Sequence, residues 1–324
     1  MSQEDPGNRA RRGFAVRARR FCRCRELVGR VAERGQSSRK VRVTQASPNQ
    51  FGEEDTMKKI AKTVLAVSIG VANGILVLLG VLFLGSNAVA QTGDSMNTKL
   101  TIVFVHGLWA DGSSWNKVIN PLVDKGYKVI SVQNPTTSLE DDVAATKRAI
   151  DRADGDVVLV GHSWGGSVIT EAGADPRVKA LIYIAAFAPD KGETAASLGE
   201  SVAPTILPGF IQNANGYLTL SREGVAKAFA GDLSPKEQDL VYAVQPPASQ
   251  KVFGDVGVNA AWKTKPSWYV VASEDKAINP ELEKTMAKRA NAKTTILKTN
   301  HVAMLSKPNE VLDVILDAAI SVRK

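Results

Sequence analysis

Cysteine is nearly absent from this chain of 324 residues. Its two cysteines, Cys22 and Cys24, lie close to the N-terminus with one residue between them. Nothing after residue 24 can therefore form a disulfide, bind a metal through a thiolate or act as a cysteine nucleophile. The residues that follow must be stabilised by a hydrophobic core, and they are numerous enough to bury one.

Most of the chain also lacks an excess of charge of either sign. The formal net charge is +8, from 41 Lys and Arg against 33 Asp and Glu. Residues 1–56 hold 13 basic and 7 acidic side chains, residues 57–90 hold 3 lysines and no acid, and the remaining 234 residues hold 25 basic and 26 acidic side chains. The body is close to neutral, so its composition gives no indication of nucleic-acid binding.

The N-terminal region separates into two segments of different character. Residues 1–56 are rich in Arg, Ser, Gln and Gly without sustained apolar periodicity, which predicts a disordered basic head. Residues 57–90 begin with Met57-Lys58-Lys59, continue as an uncharged, largely apolar run over 64–84 and end in Ala-Val-Ala. This order is typical of a secretory signal peptide cleaved after Ala90, and predicts export to the periplasm or the medium.

Two features of this segment leave alternatives open. The run over 64–84 is nearly long enough to span a bilayer, so a retained N-terminal anchor is the alternative to cleavage, and only then would the protein associate with a membrane. The predicted signal is internal, whereas export machinery reads the N-terminus. Our hypothesis is that Met57 is the true start and that residues 1–56 are not translated.

From residue 100 onward, short apolar runs alternate with segments of helical character. The predicted strands are 101–105, 128–132, 157–160, 178–184, 268–272 and 295–297, and the predicted helices are 114–125, 138–153, 168–174, 280–290 and 308–322. Continuous apolar runs are typical of strands buried on both faces of a parallel sheet. We therefore expect residues 91–324 to form one α/β domain with a mostly parallel sheet of about six strands and helices on both faces.

Residues 188–262 interrupt this alternation. They contain six prolines and several weakly helical pieces, with no clear buried strand. The pattern predicts a helical insertion packed over the carboxyl edge of the sheet, which we call the lid.

A Gly-x-Ser-x-Gly motif, Gly161-His162-Ser163-Trp164-Gly165, lies directly between a predicted strand and a predicted helix. A strained strand-to-helix turn exposes a serine hydroxyl only if its flanking residues lack bulky side chains. A serine hydroxyl is a weak nucleophile without a base to remove its proton. The motif in this context predicts that Ser163 is a catalytic nucleophile.

The chain has three histidines, and only one suits the role of base. His106 precedes Gly107 at the end of the first strand, and the side chain of His162 should be directed away from Ser163. His301 follows the last strand, so it lies at the same carboxyl edge of the sheet as Ser163. We therefore predict that His301 is the general base.

A catalytic histidine needs a carboxylate to orient it. Glu274 and Asp275 follow the strand 268–272, and adjacent loop residues point apart, so only one of them should face His301. We favour Asp275, with Glu274 as the first alternative and Asp190 as a more distant one.

Two backbone N–H groups are predicted to stabilise an oxyanion. Trp164 begins the helix after the nucleophile, where N–H groups are unpaired. Gly107 allows the chain to bend after the first strand, which would bring the N–H of Leu108 towards that of Trp164.

With these motifs, residues 100–322 resemble the α/β-hydrolase-fold serine hydrolases. The resemblance is to lid-bearing bacterial carboxylesterases, which are similar to the plant methylesterase and hydroxynitrile lyase group. The matching segments are His106-Gly107, 161–166, Phe187-Ala188-Pro189-Asp190 and 301–305. Lyases of that group tend to carry a hydroxy residue in the place of Gly107 and a lysine in the place of Val302, so both positions here are esterase-like.

The resemblance implies hydrolysis of a small, largely apolar carboxylic ester through an acyl-enzyme, with no metal or organic cofactor. A lyase or C–C bond-cleaving enzyme that uses the same triad is the alternative, and a ligand-binding module is another. Trp109, Phe187 and Met304 are expected to line the substrate pocket with the lid, although Trp109 could instead serve in packing. The identity of the substrate and the oligomeric state stay open.

Overall fold

Residues 100–323, the part of the chain that the computed structural model describes, contain a six-stranded parallel sheet. Its strand order is β2-β1-β3-β4-β8-β9. The strands are β1 (Leu100–Val105), β2 (Lys128–Val132), β3 (Asp156–His162), β4 (Val178–Ile184), β8 (Ser267–Ala272) and β9 (Lys293–Leu297). The order reverses direction between β1 and β3, and in open parallel sheets the crevice at such a point holds the functional site.

Helices connect the strands and pack on the sheet. They are α1 (Asn116–Asp124), α2 (Leu139–Asp151), α3 (Gly165–Ala172), α4 (Ala195–Glu200), α5 (Arg222–Gly224), α6 (Pro235–Val244), α7 (Pro280–Arg289), α8 (Ala303–Ser306) and α9 (Pro308–Ser321). Helix α1 packs against α9 and α2 packs against α3, whereas α4, α5 and α6 belong to the lid. The central strands β1, β3, β4 and β8 are buried except for Asp156 and Lys179 near the starts of β3 and β4, as their largely apolar sequences require.

The predicted fold is confirmed, including the number of strands in the sheet. Helix α2 begins where the sequence predicts, because the Ser138 hydroxyl accepts a hydrogen bond from the N–H of Asp141 and so caps the helix. Helix α3 begins three residues before its predicted start, since it follows the serine turn without a linker.

The prediction of a helical lid without a clear strand was correct for the helices and wrong for the strands. The lid also contains a three-stranded antiparallel sheet made of β5 (Ile211–Ala214), β6 (Tyr217–Leu220) and β7 (Ala248–Ser249). Asn215 and Gly216, with φ of 56° and 85°, form the two-residue turn between β5 and β6. Asn-Gly is a strong hairpin signal that sequence reasoning missed, because the flanking strands are short and partly polar.

The predictions for residues 1–99 lie outside the described residues. They include the basic head, the signal peptide or anchor and the start at Met57. Within residues 100–323, no helix is long and apolar enough to cross a membrane.

Candidate active site

The turn between β3 and α3 holds Ser163 in a conformation that few serines adopt. Its φ of 54° lies in the left-handed region, which is strained for a residue with a side chain. The turn packs closely against β1, because a Cβ on Gly165 would lie 2.3 Å from the carbonyl oxygen of Val105. The surroundings thus impose the strained turn, and only glycine fits at position 165.

The turn after β1 lies directly against this serine. A Cβ on Gly107 would approach the Cβ of Ser163 to 2.6 Å, so the backbone there touches the serine turn. The backbone N–H groups of Leu108 and Trp164 form no hydrogen bond within residues 100–323. Both therefore remain available to a ligand beside Ser163.

His106 fixes the direction of the Leu108 N–H. Its Nδ1 lies 2.9 Å from the carbonyl oxygen of Gly107, and its Nε2 accepts a hydrogen bond of 2.8 Å from the N–H of Asn134. Nδ1 therefore carries the proton and donates it, while burial lowers the pKa of His106 and keeps the ring neutral. Because the C=O of Gly107 and the N–H of Leu108 share one planar peptide, holding the carbonyl orients the N–H.

His301 and Asp275 form a buried pair at the same edge of the sheet. The Nδ1 of His301 lies 2.5 Å from Oδ2 of Asp275, and both side chains are almost inaccessible to solvent. Oδ1 of Asp275 accepts hydrogen bonds from the N–H groups of Ala277 and Ile278, at 2.6 and 3.0 Å. The carboxylate is thus oriented on both sides, and the Nε2 of His301 is left free to accept a proton.

The two alternative acids lie elsewhere. Glu274 is half-exposed and lies 3.6 Å from the Nζ of Lys298. Asp190 pairs with Lys263 at 2.6 Å on the surface. The structure therefore brings Asp275 to His301, and neither Glu274 nor Asp190.

His162 connects the serine turn to residues 298–302, the loop after β9 that contains His301, which we call the histidine loop. Its Nε2 donates a hydrogen bond of 3.0 Å to the backbone carbonyl of His301, and the two ring centroids are 4.7 Å apart. Burial, with a smaller contribution from nearby His301, holds the pKa of His162 well below its usual value. A neutral His162 thus adds no positive charge next to His301. Within the described part of the chain, the Ser163 hydroxyl itself forms no hydrogen bond to His301.

Comparison with known proteins identifies the family. Residues 102–314 match the alpha/beta hydrolase family. The chain belongs to this family. This family match, together with the esterase relatives described next, confirms the prediction of a hydrolase related to esterases.

Two relatives and one solved structure show how far the likeness extends. The hydrolase is 28% identical to methylesterase 18 of Arabidopsis thaliana over 255 residues, which is 68% of this chain and 97% of the relative. It is 26% identical to the alpha/beta hydrolase nvfD of Aspergillus novofumigatus over 243 residues, again 68% and 97% of the two chains. The crystal structure of polyneuridine aldehyde esterase matches with a TM-score of 0.61 at 20% identity, and covers 68% of this chain and 99% of that one.

The three residues predicted to line the pocket of this hydrolase have different surroundings. Trp109 forms an aromatic cluster with Phe229 and Phe253, at centroid distances of 6.3 and 6.4 Å. Phe187 is half-buried, and its N–H donates to the carbonyl of Ser163. Met304 is fully buried in α8. Their contact with substrate stays a prediction.

Phe229 of the lid extends this aromatic cluster to the predicted base. Its ring centroid lies 4.9 Å from that of His301. The aromatic cluster therefore reaches from the turn after β1 to the histidine loop.

Sequence reasoning missed two carboxylates that form hydrogen bonds with the residues next to Ser163 and His301. Asp142 accepts a hydrogen bond of 2.8 Å from the indole N–H of Trp164, and burial raises its pKa to about 6. Asp232 in the lid accepts hydrogen bonds from the backbone N–H of Asn300 and the hydroxyl of Thr299, at 2.9 and 2.7 Å. The only sequence signal for Asp142 is an acid on the buried face of α2, and Asp232 has none.

Proposed function

We propose that this hydrolase cleaves a small, largely apolar carboxylic ester with Ser163 as nucleophile, His301 as general base and Asp275 as the orienting acid. The observation that carries the proposal is the buried Asp275–His301 pair at 2.5 Å beside a serine with φ of 54°. A strained serine turn and an oriented histidine at one sheet edge are the two elements that acyl transfer requires.

In the first half of the reaction, the Nε2 of His301 takes the Ser163 proton as the hydroxyl attacks the ester carbonyl. The negative charge that develops on the carbonyl oxygen is stabilised by the N–H groups of Leu108 and Trp164. His301 becomes a cation, which Asp275 stabilises through Nδ1, and then protonates the departing alcohol. The product is an acyl group on Ser163.

The second half repeats these steps with water. His301 removes a proton from a water molecule, which attacks the acyl carbonyl, and the same two N–H groups stabilise the oxyanion. When the tetrahedral intermediate collapses, His301 returns the proton to Ser163 and the carboxylic acid leaves.

The apolar nature of the substrate is inferred from the side chains around His301. Phe229 lies next to His301, and Trp109 joins Phe229 and Phe253 in one largely buried aromatic cluster. Aromatic surfaces favour apolar or aromatic groups next to the scissile bond. The names of the similar proteins, methylesterase 18 and polyneuridine aldehyde esterase, support an ester as the reacting group.

A paired labelling and turnover assay tests this proposal. The wild-type protein and Ser163→Ala are treated with a fluorophosphonate probe and with short-chain p-nitrophenyl esters. We expect labelling and turnover to disappear together in the variant. Turnover that survives the substitution would exclude Ser163 as nucleophile, and turnover of a cyanohydrin without esterase activity would favour the lyase alternative.

Export is a separate proposal, supported by the basic, apolar and Ala-Val-Ala order of residues 57–90. We propose cleavage after Ala90. Mass spectrometry of the N-terminus of the native protein is expected to find Gln91 as the first residue. A peptide from residues 25–42 would contradict the start at Met57, and a retained apolar segment would indicate an anchor.

A further inference from the structure

A second carboxyl group lies against the predicted triad acid. Glu283 on α7 has no solvent-accessible surface. Its Oε2 accepts a hydrogen bond of 3.0 Å from the N–H of Ala272, at the end of β8. The Glu283 carboxyl also lies within hydrogen-bonding distance of the Asp275 carboxyl, and no N–H or O–H donor among residues 100–323 reaches its Oε1.

Two buried carboxyl groups in contact must share a proton, because two negative charges at this distance repel each other strongly. Asp275 receives hydrogen bonds from two backbone N–H groups and from His301, whereas Glu283 receives one. The negative charge is therefore better stabilised on Asp275. Burial and the neighbouring Asp275 raise the pKa of Glu283 well above its usual value, in agreement with this distribution.

We propose that Glu283 is a positioning residue for the triad: as a neutral acid it donates a hydrogen bond to the Asp275 carboxylate and keeps Asp275 as the one negative charge facing His301. This inference rests on the proposed function. The hydrogen bond gives Asp275 a further donor and holds its carboxylate in the plane that His301 Nδ1 needs. Glu283 contacts neither the nucleophile nor the base.

Few charged or titratable groups surround Glu283. Tyr269 on β8 is buried beside it, Asp275 faces it with His301 behind, and Lys284 follows it on α7. The Tyr269 hydroxyl donates to the carbonyl of Ala186, and burial raises its pKa well above the usual value, so Tyr269 stays neutral. The proton on Glu283 is thus governed mainly by burial and Asp275.

Three variants separate this role from a purely structural one. Glu283→Gln keeps a donor for Asp275 and an acceptor for Ala272, whereas Glu283→Leu removes both. Glu281→Gln is the matched control, because Glu281 lies on the same helix but is exposed and pairs with Lys284. Kinetics on a p-nitrophenyl ester are measured from pH 5 to pH 10, together with thermal unfolding.

We expect Glu283→Gln to retain wild-type kcat within about twofold and Glu283→Leu to lose kcat by on the order of tenfold or more at similar KM. The acid limb of the pH profile should be the same in wild type and Glu283→Gln. An equal loss in both variants would show that a hydrogen-bond donor at position 283 is not what matters, and an acid limb shifted by about one pH unit in Glu283→Gln would show that Glu283 is ionised. Either result would overturn the proposal.

A measurement that does not depend on catalysis tests the proposal even if Glu283→Leu does not fold or the protein hydrolyses no ester. Infrared difference spectra of wild type and Glu283→Gln at pH 8, where Asp142 is ionised, should show loss of the carbonyl band of one protonated carboxylic acid. Glu281→Gln should show no such loss. If the protein hydrolyses no ester and this band is still lost, the proton on Glu283 stands while the proposed function fails. If the band is absent, Glu283 is not a neutral donor.

Discussion

The carboxyl edge of the parallel sheet and the lid contribute to the site in different ways. Each predicted catalytic or oxyanion residue follows a strand of the main sheet, directly or within a few residues: Leu108 after β1, Ser163 and Trp164 after β3, Asp275 after β8 and His301 after β9. The lid supplies none of them. It holds six of the nine large apolar side chains that are exposed among residues 100–323, whereas the central strands of the sheet are buried.

The lid is nevertheless tied to three of the loops at this edge. The indole N–H of Trp109, next to Leu108, donates to the carbonyl of Leu218 at 2.9 Å. The N–H of Leu207 donates to the carbonyl of Lys276, next to Asp275, at 3.3 Å. Asp232 accepts from the N–H of Asn300, next to His301. The sheet thus places the predicted reacting groups, and the lid holds the residues adjacent to them.

The largest effect on kcat is expected from a substitution at the sheet edge. We expect Asp275→Asn to lower kcat by about 10⁴-fold, because an amide does not stabilise the His301 cation and favours the wrong tautomer. Steady-state kinetics on a p-nitrophenyl ester measure it. Glu274→Gln, one residue away and half-exposed, is the control and should keep wild-type kinetics. Equal losses in both would contradict the assignment of Asp275.

A smaller effect is expected from Gly107→Ala. The added methyl group would lie 2.6 Å from the Cβ of Ser163, so the turn must move and the Leu108 N–H with it. Loss of one oxyanion donor corresponds to a decrease in kcat of about 10²- to 10³-fold. Gly199→Ala in the lid is the control, because nothing lies within 4 Å of its added Cβ. Wild-type kinetics in Gly107→Ala would exclude the turn after β1 from catalysis.

The link between the two regions is tested by Trp109→Phe, which removes the hydrogen bond to Leu218 but keeps an aromatic ring. We expect a decrease of about tenfold in kcat/KM, because the Leu108 turn loses its anchor in the lid. Trp262→Phe is matched, since its indole N–H also donates to a carbonyl, that of Pro189, at 2.8 Å. Both variants should lose about 1 kcal/mol of unfolding free energy, but only Trp109→Phe should lose activity.

The smallest expected effect concerns Asp142, which accepts a hydrogen bond from the Trp164 indole, and its contribution to the pH dependence of stability. Because the pKa of Asp142 is raised to about 6 in the folded protein, the folded state binds more protons than the unfolded state between pH 4 and pH 6. Stability from this group therefore rises as the pH falls, by about 1 kcal/mol between pH 7 and pH 5. Urea unfolding of wild type and Asp142→Asn at both pH values measures this contribution, which the variant should lack.

The control for this effect is Asp151→Asn on the same helix. Asp151 is exposed and pairs with Arg177 at 2.7 Å. This variant should keep the wild-type dependence on pH over the same window. If Asp142→Asn also keeps it, another group is responsible.

Much of the sheet edge could be predicted because its signals are local. The apolar runs, the Gly-x-Ser-x-Gly motif after β3 and the position of His301 after β9 each lie within a few consecutive residues. Parallel strands carry their following loops to one edge, so the sequence also predicts that these residues meet. The lid strands were not predicted, since pairs of four residues or fewer have too little alternation to be recognised.

The sequence by itself determined the fold, and it predicted the serine turn, the histidine and the order of the triad along the chain. Only the tertiary structure decided that Asp275 rather than Glu274 faces His301, that His106 orients the turn after β1 and that His162 holds the histidine loop. It alone placed Glu283 against Asp275, eight residues away along the chain. The physical reason is that periodicity specifies which face of an element is buried, whereas the partner of a buried polar atom depends on contacts between distant segments.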